Sequence, residues 1–229
     1  FFKKQKIEDD KIVYERLTPN SLLLKMDDGK IQKYELGDLI DINKNCQCCV
    51  RKSHPDADAL ISTYALPEDS EDYVFTPQSD RAKEIVEELG WESKKTGDSF
   101  NEQYESVAEQ IKETCQANKD KDLKEWEEMS AEDKTLWYDK CTGCGMCIRS
   151  CPVCYCPTCN IQTKYRAKEI DQRTFILTRF AHIGDTCVSC GKCEVNCPFG
   201  IPLTSVFRAI QKRLKERRNY EAGTDKKRK

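Results

Sequence analysis

The chain has 229 residues, of which 38% are hydrophobic and 34% are charged, and its formal net charge at pH 7 is −2. This balance favours neither nucleic acid nor an anionic membrane as the main partner. No stretch approaches the roughly 18 apolar residues of a membrane-spanning helix. Six of the first ten residues are charged, which is unlike a secretion signal, so we expect a cytoplasmic protein without a membrane span.

The N-terminal part of the sequence predicts a small mixed domain of strands and helices, which we place at residues 1–95. Residues 11–17 alternate between apolar and polar side chains in the manner of a strand. Two further strand-like runs, 21–26 and 30–36, flank the sequence Asp-Asp-Gly, which is a hairpin pattern. We therefore expect an antiparallel sheet near the start of the chain.

The next elements are a strand candidate at 59–64 and a helix that begins after Ser79 and is ended by Gly90. Residues 96–135 then form a strongly charged segment with few apolar positions. We predict that this segment is a charged helical linker, with a surface helix pair between 100 and 129 whose charges lie in solvent.

Cysteine is far more frequent in this chain than in ordinary proteins. There are 15 cysteines, and 11 of them lie between positions 141 and 197. A disulfide framework would need an oxidising compartment and usually an even number of cysteines. The odd count, the lack of a secretion signal and the close spacing instead favour metal ligation in a reducing compartment.

Two copies of the pattern C-x2-C-x2-C-x3-C-P lie at 141–152 and 187–198. In two-cluster ferredoxins the first three thiolates of such a run bind one 4Fe–4S cluster and the fourth binds the other. The predicted ligands of the first cluster are Cys141, Cys144, Cys147 and Cys197. Those of the second cluster are Cys187, Cys190, Cys193 and Cys151. Zinc sites usually pair two CxxC units instead, so we predict a bacterial-type dicluster ferredoxin domain at 136–203.

The insert between the two motifs predicts a helix over 164–180 that is rich in basic residues, namely Arg166, Lys168, Arg173 and Arg179. These cations either interact with the anionic clusters or a partner, or lie on a solvated helix face, and the sequence leaves both possibilities open. An amphipathic helix over 202–217 follows the second motif. It leads into a C-terminal segment, 204–229, that ends in a basic tail, and the whole chain is predicted to have the α+β fold class.

Six further cysteines form two incomplete ligand sets, one at 46–49 and one at 154–159. We predict that these sets meet and hold a third 4Fe–4S cluster, with the ligands Cys46, Cys49, Cys156 and Cys159. Cys48 and Cys154 are possible substitutes. A zinc site and buried free thiols remain alternatives for the same residues. Cys115 stands alone in the charged segment and is predicted not to be a ligand.

The extended cysteine pattern resembles the C-terminal region of formate dehydrogenase beta subunits, in the deazaflavin (coenzyme F420) hydrogenase and dehydrogenase beta-subunit family. The resemblance rests on Cys-Pro-Val-Cys-Tyr-Cys-Pro-Thr-Cys at 151–159 and Cys-Pro-Phe-Gly-Ile-Pro-Leu at 197–203. Cys-Gln-Cys-Cys at 46–49, followed by Asp-Ala-Asp-Ala-Leu-Ile-Ser at 56–62, resembles an earlier CxxC segment of the same family. Most of the chain apart from the charged segment is covered, although the chain starts near the middle of the family's flavin domain.

The resemblance implies an iron–sulfur subunit of an anaerobic oxidoreductase complex. Such a subunit relays electrons between a catalytic subunit, of the molybdenum or tungsten formate dehydrogenase or hydrogenase type, and a flavin, deazaflavin or ferredoxin-type acceptor. Other electron-transfer subunits are implied as partners. FAD is implied by the resemblance alone, because no GxGxxG fingerprint is present, and we assign no FAD-binding residues.

The sequence contains no acid–base pair or activated nucleophile that would make this chain the catalyst, so we expect a non-catalytic electron-transfer subunit. Two alternatives remain open. The chain could complete a flavin active site that reduces a deazaflavin coenzyme, or its clusters could serve only to staple an interaction module.

Overall fold

The computed structural model describes residues 11–17, 21–35, 43–51, 56–67, 70, 72–90 and 94–223. The chain divides into two compact units, of which the first comprises residues 1–42 and 50–114 and the second comprises residues 43–49 and 115–229. Helices combine with small antiparallel sheets, which confirms the predicted α+β class. Within the described ranges, no helix is both long enough and apolar enough to cross a lipid bilayer.

The strands in chain order are β1 (Ile12–Leu17), β2 (Ser21–Met26), β3 (Ile31–Glu35), β4 (Ala59–Ser62) and β5 (Val74–Pro77). The helices in chain order are α1 (Lys44–Gln47), α2 (Asp80–Leu89), α3 (Asp98–Glu128), α4 (Ala131–Asp139), α5 (Met146–Arg149), α6 (Asn160–Arg166), α7 (Gln172–Ile183), α8 (Lys192–Val195) and α9 (Leu203–Arg218).

The first unit contains the antiparallel sheet β1-β2-β3, whose central strand is β2. Leu22, Leu24 and Met26 alternate along β2, share one face and form a small apolar cluster. Gly29 closes the turn between β2 and β3 with a φ of +80°, a conformation that costs glycine little. The predicted strand at 11–17 and the predicted hairpin are both confirmed.

The remainder of the first unit pairs β4 with β5 and continues into α2. The Ser79 side chain accepts a hydrogen bond from the Ala82 amide at 3.2 Å, and Gly90 ends α2 in the left-handed conformation. The predicted capping residues of this helix are therefore confirmed.

The predicted surface helix pair between 100 and 129 is wrong, because α3 is one continuous helix of 31 residues. No glycine or proline interrupts this stretch, so nothing in the backbone chemistry ends the helix early. Its charges are also not all solvated. Cys115, Asp122, Leu123 and Trp126 are buried in its C-terminal half.

The predicted single helix over 164–180 is also wrong, since the structure has two helices, α6 and α7. Lys168 lies between them with a φ of +60°, which interrupts the helical backbone. Asp171 then starts α7 by accepting a hydrogen bond from the Thr174 amide at 2.7 Å.

The core of the second unit lies between α7, α9 and the end of α3. The ring of Phe180 packs edge-on against Phe207 with centroids 5.6 Å apart, and Tyr138 lies 5.4 Å from Phe180 on another side. The predicted amphipathic helix over 202–217 is confirmed as α9, which ends at a left-handed Asn219. The predicted basic tail lies beyond Gly223, outside the described residues.

A buried ionic network joins α1, α3 and α9 within the second unit. The Asp122 carboxylate accepts hydrogen bonds from Ser205 Oγ, at 3.0 and 3.1 Å, and from Arg208 Nη1, and it forms an ion pair with Lys44 Nζ. Arg208 Nη2 donates to Asn45 Oδ1 at 2.9 Å. Burial opposes the charge on Asp122, but the hydrogen bonds from Lys44 and Arg208 hold its pKa below the ordinary value. The network fixes α1 against the rest of the second unit.

Candidate metal centre

The first cysteine motif folds as a tight loop that leads into α5. Gly143 and Gly145 both have positive φ angles, +65° and +80°, which allow the chain to curl around its own sulfur atoms. The Gly143 amide donates a hydrogen bond to Cys141 Sγ at 3.4 Å. Backbone donors aimed at sulfur are the groups that would stabilise a ligated thiolate.

The second motif repeats this geometry and leads into α8. Ser189 and Gly191 have φ angles of +56° and +76°, at the positions that correspond to Gly143 and Gly145. The Ser189 amide donates to Cys187 Sγ at 3.3 Å. A serine in the left-handed conformation costs about 1–3 kcal/mol, so the surrounding contacts must impose this loop shape.

The structure places the eight motif cysteines around two separate cavities. The first sulfur cavity is lined by Cys141, Cys144, Cys147 and Cys197. The second sulfur cavity is lined by Cys151, Cys187, Cys190 and Cys193. Each cavity therefore has three cysteines from one motif and the fourth from the other, which is the interleaved grouping that the sequence predicts. Apolar side chains complete both walls, with Phe175 and Ile201 at the first cavity and Ile183 and Phe207 at the second.

Burial differs systematically among these cysteines. Cys144 and Cys190, the second cysteine of each motif, are exposed, whereas Cys187 and Cys193 are buried. Burial raises the pKa of the Cys187 thiol to about 11 and that of Cys193 to about 12. Metal ligation at Cys187 and Cys193 would therefore have to displace the thiol protons.

Arg179, on the buried face of α7, lines both sulfur cavities. It is only 3% exposed. Its Nη1 donates to Cys154 Sγ at 3.1 Å and its Nη2 donates to the Cys147 carbonyl at 3.2 Å. Burial opposes its charge, but the nearby sulfurs raise the pKa of the guanidinium above its ordinary value. Of the two roles left open for the basic insert, Arg179 faces the sulfur cavities and the exposed Arg173 pairs with Asp139 at 2.9 Å.

Two buried amide side chains cover the motif glycines. A Cβ atom added at Gly145 would coincide with the Gln162 side chain, and one added at Gly191 would coincide with Asn45. Gln162 Nε2 also donates to the Cys144 carbonyl at 3.2 Å. Sequence reasoning missed both amides, because a lone Asn or Gln carries no pattern that connects it to a distant glycine.

The two cavities fit all-cysteine ligated iron–sulfur clusters. Four soft sulfur donors converge on each cavity, backbone amides point at sulfur, and a buried cation lies between the two sets. Gly145 is among the lining residues of the first cavity, and Gly191 is among those of the second.

Replacement of Gly191 by alanine should destabilise the second unit more than the same change at Gly200. Both positions have positive φ, +76° and +62°, but a Cβ at Gly200 meets open space whereas one at Gly191 meets Asn45. The left-handed backbone alone costs about 1–2 kcal/mol. The collision adds about 1–3 kcal/mol, because Arg208 holds Asn45 in place. Thermal unfolding of the two variants, followed by circular dichroism under anaerobic conditions, measures the difference. Equal losses would contradict the role assigned to Asn45.

The remaining cysteines lie in different environments. Cys48 and Cys115 are buried, Cys46 and Cys156 are exposed, and Cys49, Cys154 and Cys159 are half-buried. Burial raises the pKa of the Cys48 thiol, which lies near Arg208 and Asp122. All 15 cysteines fall in the described ranges, and none forms a disulfide.

The third predicted ligand set, Cys46, Cys49, Cys156 and Cys159, stays a prediction. Both segments that supply it belong to the second unit. In the part of the chain that the structure describes, no three His, Cys, Asp or Glu side chains are arranged around a single metal-ion position.

The sequence profile of the 4Fe-4S dicluster domain matches residues 137–201. The chain is 24% identical, over 93% of its length, to the F420-dependent formate dehydrogenase subunit beta of Methanocaldococcus jannaschii, and 25% identical, over 96%, to subunit beta of F420-dependent formate dehydrogenase 1 of Methanococcus maripaludis. The alignments cover 59% and 60% of these relatives, so the chain spans about three fifths of their length.

A third relative is similar only locally. The acetyl-CoA decarbonylase/synthase complex subunit alpha 1 of Methanosarcina mazei is 32% identical over 40% of this chain and 10% of its own length. Taken with the sulfur cavities, these similarities show that the chain carries a 4Fe–4S dicluster domain and is homologous to the beta subunits of F420-dependent formate dehydrogenase.

Proposed function

We propose that the eight motif cysteines hold two 4Fe–4S clusters in interleaved sets. Cys141, Cys144, Cys147 and Cys197 would hold the first, and Cys187, Cys190, Cys193 and Cys151 would hold the second. The observation that carries this proposal is the lining of the two sulfur cavities, each of which has these four cysteines. When bound, such clusters supply one-electron redox chemistry with little change in geometry.

The chain's own residues would fix the spacing and the electrostatic surroundings of the two sites. The amides of Gly143 and Ser189 donate to ligand sulfurs, and the apolar walls around Phe175 and Phe207 limit the access of water. The exposed positions of Cys144 and Cys190 give each site one solvent-facing edge, at which electrons can enter or leave.

The proposed role is that of an iron–sulfur electron-transfer subunit in a cytoplasmic oxidoreductase complex. It would relay electrons between a catalytic subunit, of the molybdenum or tungsten formate dehydrogenase or hydrogenase type, and a flavin, deazaflavin or ferredoxin-type acceptor, together with other electron-transfer subunits. The dicluster domain and the similarity to formate dehydrogenase beta subunits along almost the whole chain support this role.

Anaerobic purification of the tagged, full-length protein from its native cell tests this role. We expect a large subunit that contains molybdenum, tungsten or nickel to co-elute, and substrate of that subunit to bleach the iron–sulfur absorbance of the complex. Isolation with no redox subunit, or a complex whose clusters the substrate never reduces, would contradict the proposal.

A second candidate is participation in a flavin site that reduces a deazaflavin. The names of the two formate dehydrogenase relatives favour it, since both are called F420-dependent. A flavin absorbance spectrum that survives gel filtration, together with deazaflavin reduction by the isolated subunit, is the expected result. A subunit that holds iron but no flavin would leave electron relay as its function.

A third 4Fe–4S cluster, held by Cys46, Cys49, Cys156 and Cys159, is also proposed. The contacts of Asn45 with Gly191 and of Gln162 with Gly145 bring both cysteine-bearing segments against the ferredoxin loops, which supports this proposal. It predicts about twelve irons per chain. Replacement of both Cys156 and Cys159 by alanine should reduce this content by about four irons, whereas the Cys115→Ala control should not. A wild-type preparation with about eight irons and no zinc would rule out the third cluster.

A further inference from the structure

Arg179 occupies a position that neither the dicluster motif nor the electron-relay role requires. We propose that its guanidinium is a cation shared by both cluster sites, and that it raises the reduction potential of both. This inference rests on the two-cluster ligation proposed above. Arg179 belongs to the insert between the two motifs, and it lines both cavities because α7 packs against them.

The burial of Arg179 is the first line of support. A charged guanidinium that is 3% exposed carries a large desolvation cost unless anions lie close to it. Among the described residues, no carboxylate forms an ion pair with Arg179. The groups that favour its charge are the sulfurs of Cys147, Cys151 and Cys154.

The hydrogen bonding of Arg179 is the second line of support. A guanidinium has five N–H donors. Nη1 donates to Cys154 Sγ and Nη2 to the Cys147 carbonyl, but the buried Nε has no hydrogen-bond partner among the residues that the structure describes. Buried donors are normally hydrogen-bonded, and an anionic sulfur atom in either cavity would supply the acceptor that Nε–H lacks.

The position of Arg179 determines its effect on the reduction potentials of the two clusters. Each electron that a cluster accepts adds one negative charge, and a nearby cation in a low-dielectric interior stabilises that added charge. Because Arg179 lines both cavities, the stabilisation reaches both clusters. Because the charge on Arg179 is fixed, it raises the reduction potential of each cluster whether the other cluster is oxidised or reduced. Removal of the charge should therefore lower both potentials.

The experiment compares the wild-type chain with Arg179→Gln, Arg179→Lys and a control, Arg166→Gln. Arg166 is exposed on α6, in the same insert, so the control removes the same net charge away from the cavities. Each full-length protein is prepared anaerobically, and its iron content is measured. The midpoint potentials of both clusters are then determined by redox titration followed by electron paramagnetic resonance.

We expect both potentials to fall in Arg179→Gln, to stay close to wild type in Arg179→Lys, which keeps the charge, and to be unchanged in Arg166→Gln. Unchanged potentials in Arg179→Gln, or a fall at only one cluster, would overturn the shared-cation proposal and leave the ligation intact. If Arg179→Gln loses its iron but Arg179→Lys retains it, the result supports a requirement for the positive charge. If both variants lose iron, Arg179 serves packing, and the proposal is overturned. A wild-type chain without two reducible clusters would instead refute the ligation itself, and this inference with it.

Discussion

Replacement of both Cys141 and Cys197 by alanine is expected to remove one 4Fe–4S cluster and to spare the other. The two residues belong to different motifs, yet both line the first sulfur cavity. Both substitutions therefore strike the same proposed site, and iron analysis should record a loss of about four irons per chain relative to wild type.

The matched control replaces Cys141 and Cys151, which belong to the same motif but line different cavities. This pair damages both proposed sites, and the expected loss is about eight irons per chain. If each motif instead held its own cluster, the two results would be exchanged: Cys141 with Cys151 would cost one cluster, and Cys141 with Cys197 would cost two. That exchange would contradict the interleaved ligation.

Replacement of Asp122 by asparagine is expected to be strongly destabilising. Asp122 balances Arg208, which is also buried, as well as the half-exposed Lys44. Removal of one partner of a buried ion pair typically costs about 3–5 kcal/mol, because the other charge is left uncompensated. In a protein of this size that corresponds to a decrease in Tm of roughly 6–20 °C.

Two further variants make this test specific. Asp120→Asn removes an exposed carboxylate from the same helix, where it accepts a hydrogen bond from the exposed Gln116, and should have little effect. Asp122→Asn combined with Arg208→Met removes both buried charges and should recover part of the loss. Since the pKa of Asp122 is depressed in the folded chain, its stabilisation is fully present at neutral pH and is lost only as the pH falls below the ordinary carboxyl range. Asp122→Asn as stable as Asp120→Asn would contradict this account.

Local chemistry made the short-range features of this fold predictable. The β2–β3 hairpin follows from a turn with Gly29 between two alternating runs, and α2 follows from its Ser79 and Gly90 caps. The motif spacing likewise predicts the interleaved ligand sets, because three sulfurs of each motif share a loop and the fourth belongs to the partner site.

The two helix errors have physical causes. In α3 the charge is spread along the whole length, so the sequence did not distinguish the solvated part from the part that buries Leu123 and Trp126. In the insert, the break before α7 had a readable signal in Asp171, a favourable N-cap residue, but the run of basic residues obscured it.

The contacts that surround the candidate site could not be predicted from the sequence. Asn45 meets Arg208 across 163 positions, and Arg179 reaches Cys154 across 25 and Cys147 across 32. No periodicity or motif connects such residues, because their contacts arise only when α1, α7 and α9 pack together. Buried polar side chains of this kind are recognised by their environment and not by their spacing.

Electron paramagnetic resonance of the anaerobic wild-type chain, with spins counted during stepwise reduction by dithionite and reoxidation, tests the central claim most directly. We expect two separate one-electron reductions per chain from the ferredoxin motifs, both reversible and both with the signals of reduced 4Fe–4S clusters. A colourless protein with zinc on these sulfurs, or a brown protein that gains no spin across the accessible potentials, would contradict the account.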